Sequence, residues 1–320
     1  MNLCIGRLAL LTLLPASIAL ADAPERRMAV TFDDLPFTAA SVTDDATVHA
    51  ATTKLLASLQ DRGIVVTGFV NEAKLYDDGT LVYARTETLE AWLESGMALG
   101  NHSYSHPDLH EVSLEEMMAD VTRGEPVTRA LLEARGDSLQ YFRHPYLHTG
   151  RDLDTKHAFE AFLTQRGYRV APVSIDNSEW IFARAYMLAL RAGDSVLAER
   201  IGNDYVDYML AMVEFYEDQS DQLFGRNISH VLLVHANELN ADWFGELADR
   251  LSAIGYKFVT LDEALEDPAY ESEDRYIGRG GITWLHRWAI TQEVDPAMFR
   301  GEPTTPDYVL ELTRLPEHNY

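Results

Sequence analysis

Short apolar runs alternate with longer amphipathic stretches along most of this chain, and no internal repeat or low-complexity linker interrupts the alternation. Short apolar, β-branched runs are typical of buried strands, and a 3.6-residue apolar period is typical of helices. The predicted strands are 28–32, 64–70, 97–101, 139–143, 168–175, 230–235 and 256–261. The predicted helices are 45–61, 87–95, 113–135, 153–166, one long helix or a pair over about 181–222, and 241–254. Repeated strand-then-helix units predict an α/β fold with a parallel sheet, and at this length a closed or nearly closed barrel.

The barrel is predicted to occupy residues 22–265, with a helical insertion at about 181–229 and a C-terminal extension over 266–320. Trp284 and Trp288 stand four residues apart in the extension, which is the spacing of one helix face. We expect that face to pack on the barrel, although aromatic rings at this spacing also suit the edge of a glycan groove.

Residues 1–21 have the pattern of a secretory signal peptide, with basic Arg7, the apolar stretch LALLTLLPASIALA and a small residue, Ala21, before the expected cleavage. That stretch is too short for a good membrane span, and no later segment approaches about 20 continuous apolar residues. We therefore expect a periplasmic or secreted protein with no membrane span. The only cysteine, Cys4, would leave with the leader, so no disulfide is expected in the mature chain.

The composition excludes wholesale disorder, because 47% of the residues are hydrophobic. A formal net charge of −25 repels polyanions. We therefore expect neither nucleic acid nor anionic lipid as a partner, and no obligate protein partner is evident.

Polar residues follow five of the predicted strands at their carboxyl ends, which is where parallel barrels gather their chemistry. The clusters are Asp33-Asp34, His102 with His106, 143–146, 176–180, and His235. Adjacent carboxylates repel each other unless positive charge lies nearby. Two histidines and an aspartate with a second acid beside them therefore suggest a divalent metal and a base.

The ordered set TFDD, HSxxH, FRxPY, DxxEW and LxVH resembles the NodB-homology polysaccharide deacetylases, a carbohydrate esterase family, over roughly residues 28–264. The resemblance implies a distorted (β/α)7 barrel, TIM-like, with parallel strands and a single divalent metal. It also implies metal-assisted hydrolysis of an acetyl group, usually from an N-acetylated sugar and in some members from an O-acetylated xylan.

Carried over to this chain, the resemblance implies that Asp34, His102 and His106 are the metal ligands. Zinc is the expected metal, with cobalt, nickel and manganese as alternatives. Zinc would lower the pKa of its water towards about 7. Without the other motifs, the two histidines would be interpreted as surface-loop residues and the two aspartates as caps of the following segment.

The same resemblance implies that Asp33 is the general base, held by Arg143, and that His235 is the acid that protonates the departing amine. An acid of the fourth motif would tune that histidine, and either Asp176 or Glu179 fits. As alternatives, Arg143 would be an ordinary ion-pair residue and His235 a core histidine.

The backbone N–H of Tyr146 would stabilise the tetrahedral oxyanion, and Trp180 would line the acetyl pocket or belong to the core. Three further histidines, His110, His144 and His148, are expected to be structural or loop residues, the last two near the mouth of the site.

The chain also departs from the common family pattern, with Leu35-Pro36 after TFDD, His144 where proline is frequent, Glu179 in place of aspartate, and Ala236-Asn237 after His235. These departures indicate a divergent branch. Together with the signal-peptide pattern, the resemblance implies an exported hydrolase acting on the linear amide of N-acetylglucosamine-containing glycans. The alternatives are an O-acetyl esterase on xylan or another glycan, and a non-catalytic glycan-binding barrel.

Overall fold

The computed structural model describes residues 25–39 and 43–317, so the predicted signal peptide lies outside the described residues. A curled sheet of seven parallel strands surrounded by helices forms the centre of the protein, which confirms the predicted distorted (β/α)7 barrel. Two further strands, β3 and β4, form a separate hairpin that the sequence does not predict. The strands are β1 (Arg26–Leu35), β2 (Thr67–Val70), β3 (Tyr76–Asp77), β4 (Thr80–Leu81), β5 (Ala98–Asn101), β6 (Tyr141–Phe142), β7 (Arg169–Val170), β8 (His230–His235) and β9 (Tyr256–Phe258).

The sheet runs in the order β7-β6-β5-β2-β1, and β1 also pairs with β8 and β9. The predicted strand 168–175 is interrupted after β7, where Pro172 has no N–H to donate to a neighbouring strand. The chain then reaches β8, where the Ser174 N–H donates to the Val231 carbonyl at 3.0 Å and Ile175 forms a parallel bridge. This segment brings the two edges of the curled sheet together.

The helices are α1 (Asp45–Asp61), α2 (Tyr83–Glu94), α3 (Leu114–Arg123), α4 (Pro126–Glu133), α5 (Leu153–Gln165), α6 (Glu179–Ala192), α7 (Ser195–Phe224), α8 (Glu238–Ala253), α9 (Leu261–Ala264), α10 (Trp284–Thr291) and α11 (Asp307–Thr313). The predicted single helix over 113–135 is two helices, because Gly124 ends α3 and Pro126 begins α4. The insertion is a pair of helices, α6 and α7, with Gly193 in a left-handed conformation at the end of α6.

Both tryptophans of the extension are buried on α10. The backbone N–H of Trp284 donates to the Val173 carbonyl at 2.8 Å. The Trp288 ring packs edge-on against Phe224 of α7 and against Tyr270. The extension is therefore in contact with the barrel and the insertion, while the predicted domain boundaries remain predictions. No helix within residues 25–39 and 43–317 is both long and apolar enough to cross a bilayer.

Candidate active site

The carboxyl ends of the central strands surround a cavity of about 440 Å³. Eight of the ten predicted site residues line it: Asp33, Asp34, His102, His106, Tyr146, Asp176, Trp180 and His235. The other two, Arg143 and Glu179, are fully buried and contact the lining residues from behind.

Asp33 and Asp34 lie at an irregularity of β1. The pairing of β1 with β2 shifts register between Phe32 and Leu35, and Asp34 has a φ of 74°. In a regular strand, consecutive side chains point to opposite faces. Aspartate tolerates the left-handed region better than most residues, so it can redirect the chain here. Asp34 Oδ1 consequently lies 3.9 Å from His106 Nε2, while Asp33 Oδ2 lies 3.3 Å from Arg143 Nη1.

His102 follows β5 and is held in one ring orientation. Its Nδ1 lies 2.9 Å from the Arg143 carbonyl oxygen. A carbonyl only accepts, so Nδ1 carries the proton and the Nε2 lone pair is available to a ligand. His106 is reached through a left-handed turn in which Ser103 and His106 have φ of 67° and 60°. The Ser103 hydroxyl accepts from the His106 N–H at 3.1 Å.

The ligand atoms of Asp34, His102 and His106 all lie within 4.8 Å of one another. Burial lowers the pKa of His102 and of His106 to about 4 each, so both rings are neutral at pH 7 and can offer lone pairs. Burial opposes ionisation of Asp34, but Lys74 and the histidines together keep its pKa below the ordinary value. One carboxylate with two neutral imidazoles is a donor set that fits a divalent ion such as zinc.

The motifs of the sequence give no indication of Lys74, which belongs to a 3-10 helix over Glu72–Leu75. Its Nζ lies 3.1 Å from Asp34 Oδ1 and donates to the Asp34 carbonyl at 3.1 Å. Lys74 therefore holds both the side chain and the backbone of Asp34.

Asp33 is only 2% exposed and lies beside the fully buried Arg143. The guanidinium of Arg143 also donates to the Thr31 hydroxyl at 2.9 Å and to the Ala171 carbonyl at 2.8 Å. Asp33 Oδ1 is buried and accepts no hydrogen bond from the described part of the chain. Burial raises the pKa of Asp33 above its usual value, although the charge of Arg143 opposes the rise. This carboxylate is therefore more basic than a surface aspartate and has one oxygen free.

His235 ends β8 and bonds to Glu179 at the start of α6. Its Nδ1 lies 2.8 Å from Glu179 Oε2. Burial favours the neutral ring, but the hydrogen bond and charge of Glu179 outweigh burial and raise the pKa of His235 to about 9. Asp176 lines the cavity and accepts from the Asn177 N–H at 2.8 Å. The sequence left open whether Glu179 or Asp176 contacts His235. In the structure Glu179 makes the hydrogen bond to His235.

Two asparagines that the sequence does not assign to the site complete the surroundings of Glu179. Asn237 and Asn240 donate to Glu179 Oε1 at 2.6 Å and 2.9 Å. Asn240 also donates to the His235 carbonyl at 2.8 Å, and Asn237 caps α8. Asn237 follows soon after His235 and precedes the predicted helix 241–254, and the structure begins that helix earlier, at Glu238, so that Asn237 is its N-cap.

Tyr146 and Trp180 lie at the cavity but differ in exposure. Tyr146 is 55% exposed, has a φ of 56°, and sets its ring edge-on to His106 with centroids 4.5 Å apart. Trp180 is half-buried and packs against the core while it lines the cavity. Trp180 thus packs against the core and faces the cavity, while its role in an acetyl pocket remains a prediction.

A second cluster, Asp108, His110 and His148, lies next to the cavity. His148 Nδ1 bonds to Asp108 at 2.6 Å. The rings of His110 and His148 stack with centroids 3.8 Å apart and an interplanar angle of 9°. To bind one metal ion, each imidazole must direct the lone pair of a ring nitrogen at that ion, and this lone pair lies in the plane of the ring. Parallel stacked rings do not meet that requirement, so this cluster is a hydrogen-bonded stack at the rim.

Comparison with known proteins relates this site to one family. Residues 21–162 match the family model of polysaccharide deacetylases. A chitin deacetylase of Colletotrichum lindemuthianum is 22% identical over 243 residues, which cover 75% of this chain and 79% of that protein.

Two solved structures share the fold. The chitin deacetylase from the fungal pathogen Colletotrichum lindemuthianum has a TM-score of 0.50 at 23% identity, covering 76% of this chain and 88% of that one. A mutant of BA3943, a CE4 family pseudoenzyme from Bacillus anthracis, has restored enzymatic activity. It also has a TM-score of 0.50, at 16% identity, covering 76% of this chain and 68% of that one. The family match includes the two aspartates, Asp33 and Asp34, and the histidines His102 and His106. It ends before Glu179 and His235.

Proposed function

Since this chain carries a polysaccharide deacetylase domain of the NodB-homology type, we propose that it is an active, metal-dependent hydrolase that removes acetyl groups from N-acetylated sugars. One observation carries the proposal. Asp33 on β1 and His235 on β8 are paired positions that face one cavity. Asp33 is a buried carboxylate with a free oxygen and a raised pKa, and His235 also has a raised pKa. Both pKa shifts are upward: the shift makes the Asp33 carboxylate a stronger base, and it keeps His235 protonated at neutral pH, so one group can accept a proton and the other can donate one.

Asp34, His102 and His106 would hold the metal. A divalent ion there would supply Lewis acidity towards water and towards the acetyl carbonyl. The protein's part is to keep both imidazoles neutral by burial and to fix the His102 tautomer through the Arg143 carbonyl. Lys74 would keep the Asp34 carboxylate ionised.

Asp33 would act as the general base. Arg143 occupies Oδ2, so the unpartnered Oδ1 is the oxygen available to accept a proton from water. The raised pKa of Asp33 increases its affinity for that proton.

His235 would donate a proton to the departing nitrogen. An amine is a poor leaving group unless it is protonated, and a histidine with a pKa of about 9 is charged at neutral pH. Glu179 stays with the ring through this transfer, because the two asparagines fix its other oxygen. An alcohol leaves more readily, so an ester substrate would depend less on His235.

The Tyr146 backbone N–H would stabilise the developing oxyanion, with Trp180 against the acetyl methyl group. Asp176, which lines the same cavity, would contact the sugar rather than tune His235. The predicted export to the periplasm or outside the cell would place the enzyme where such glycans occur.

Acetate release tests the proposal. The mature chain, stripped of metal and then reloaded with zinc, is assayed on N-acetylglucosamine oligomers and on acetylated xylan side by side. We expect zinc-dependent acetate release from the oligomers. Activity on xylan alone would overturn the substrate in favour of an O-acetyl esterase, and no metal-dependent release from either would favour a non-catalytic barrel.

A further inference from the structure

The C-terminal extension reaches the cavity and touches the loop that carries Tyr146. Gly281 of the extension lines the cavity. A Cβ atom on Gly281 would lie 1.7 Å from the Tyr146 carbonyl oxygen. Only glycine allows two backbones to approach this closely.

The loop at that contact has an unusual conformation. Tyr146 and Leu147 have φ of 56° and 54°, in a region that residues with a side chain rarely adopt. The loop's own hydrogen bonds are few: Leu147 N–H to the His144 carbonyl at 3.1 Å and His148 N–H to the Pro145 carbonyl at 3.0 Å. Two successive left-handed residues persist only where outside contacts hold them.

Arg287 of α10 provides those contacts. It is 1% exposed, and it donates to the Leu147 carbonyl and, at 2.8 Å, to the Thr149 hydroxyl. Its Nε donates to the Ile282 carbonyl at 2.9 Å, which joins the loop to the turn before α10. Asp274 lies 3.6 Å from Nη1 and supplies the counter-charge. The planar guanidinium thus ties three backbone and side-chain acceptors together in a way that a lysine cannot.

We propose that Arg287 and Gly281 are positioning residues of the active site, which hold the Tyr146 backbone in the geometry that its N–H needs to stabilise the oxyanion. The proposal rests on the deacetylase function proposed above. Neither residue touches the reacting atoms in this role, because both act through the loop. The C-terminal extension would then be part of the catalytic machinery rather than a cover on the barrel.

Two measurements on zinc-loaded protein test this: separate kcat and KM for N-acetylglucosamine oligomers, and backbone hydrogen exchange of residues 144–149. For Arg287→Met we expect exchange in that loop to rise about tenfold. We expect kcat to fall about tenfold or more with KM changed less than about threefold, because a misplaced oxyanion donor weakens transition-state binding. Arg287→Lys, which keeps one donor, should recover part of both values.

Two further variants separate positioning from general stability. Gly281→Ala should lower kcat without removing any hydrogen bond of Arg287. Arg226→Met is the matched control, since Arg226 binds Asp267 at the start of the extension at 2.8 Å and 2.5 Å. It should lower the melting temperature while kcat and loop exchange stay at the wild-type values.

The proposal would be overturned if both Gly281→Ala and a folded Arg287 variant showed unchanged loop exchange and a kcat within twofold of wild type. If Arg287→Met does not fold, Arg287→Lys and Gly281→Ala decide the question. A wild-type protein that releases no acetate would overturn the proposed function, whereas the exchange measurement would still decide whether Arg287 positions the loop.

Discussion

The cavity has a ligand side, formed by Asp34, His102, His106 and Tyr146, and an acid side, formed by Glu179, His235, Asn237 and Asn240. On the ligand side, three of those four residues have a positive φ: Asp34, His106 and Tyr146. On the acid side none does, and the residues stand at the end of a regular strand or at the start of a helix. Each left-handed residue costs about 1–2 kcal/mol.

The difference shows how the two sides are stabilised. Both oxygens of Glu179 accept hydrogen bonds, so the acid side is complete in the polypeptide alone. The ligand side presents two neutral imidazoles and the carboxylate of Asp34, whose backbone is left-handed. We therefore expect the ligand side to depend on the metal and the acid side to keep its structure without it.

The largest effect is expected from His102→Ala, which removes one of the three proposed metal ligands. Zinc should be lost, and acetate release should fall by about 10³-fold, because the electrostatic stabilisation supplied by the ion goes with it. Zinc content of the purified protein and the rate of acetate release are the measurements. His157→Ala is the control, since His157 is exposed on α5. A His102→Ala protein with full zinc content would show that His102 is not a ligand.

Asp33→Asn should have the next largest effect, because it removes the proposed general base and leaves the proposed metal ligands and His235 in place. General base catalysis contributes about 10²- to 10⁴-fold, so the rate should fall by that factor while zinc content stays at the wild-type level. The exposed Asp61→Asn is a control for the loss of one charge. If Asp33→Asn lost its zinc instead, the roles assigned to Asp33 and Asp34 would have to be exchanged.

The smallest effect is expected from Glu179→Gln, which alters the acid side alone. In the proposed mechanism protonated His235 is the active form, so the rate should fall as pH rises through its pKa of about 9. Removing the carboxylate leaves burial to dominate and lowers that pKa, so the alkaline limb of the pH–rate profile should move down by about one unit or more.

A bound cation would lower the pKa of His235 in both proteins, so the shift of Glu179→Gln relative to wild type is the quantity to compare. Glu246→Gln is the control, because Glu246 pairs with Arg250 on the exposed face of α8. A profile of Glu179→Gln that overlays the wild type would contradict the acid role of His235.

Much of the fold could be predicted because each element carries a local signal. The strand over 230–235 and the helix over 45–61 match the structure residue for residue, since apolar periodicity and capping residues mark their ends. The prediction was wrong where one residue outweighs a continuous pattern. Pro126 divides a helix, and Pro172 interrupts a strand.

The candidate site was predictable where its residues lie at or just beyond the carboxyl ends of strands, as Asp33, His102 and His235 do, because parallel strands all end at one rim. The roles assigned to them remain predictions. Lys74 and Arg287 were not predictable, since each lies in a segment without a motif. Tertiary packing alone places Lys74 against Asp34 and Arg287 against the Tyr146 loop. The distinction between Glu179 and Asp176 also depends on packing, because both follow the same strand.

Asp33 and His235 are register partners on the parallel strands β1 and β8. Adjacent strands lie about 4.8 Å apart, so the separation between their main chains is set by the hydrogen-bond ladder of the sheet and not by any loop. Outer loops that carry none of the site residues and do not hold the Tyr146 loop can therefore be varied while this separation stays constant. A redesign of specificity should begin at those outer segments and leave the two strands unchanged.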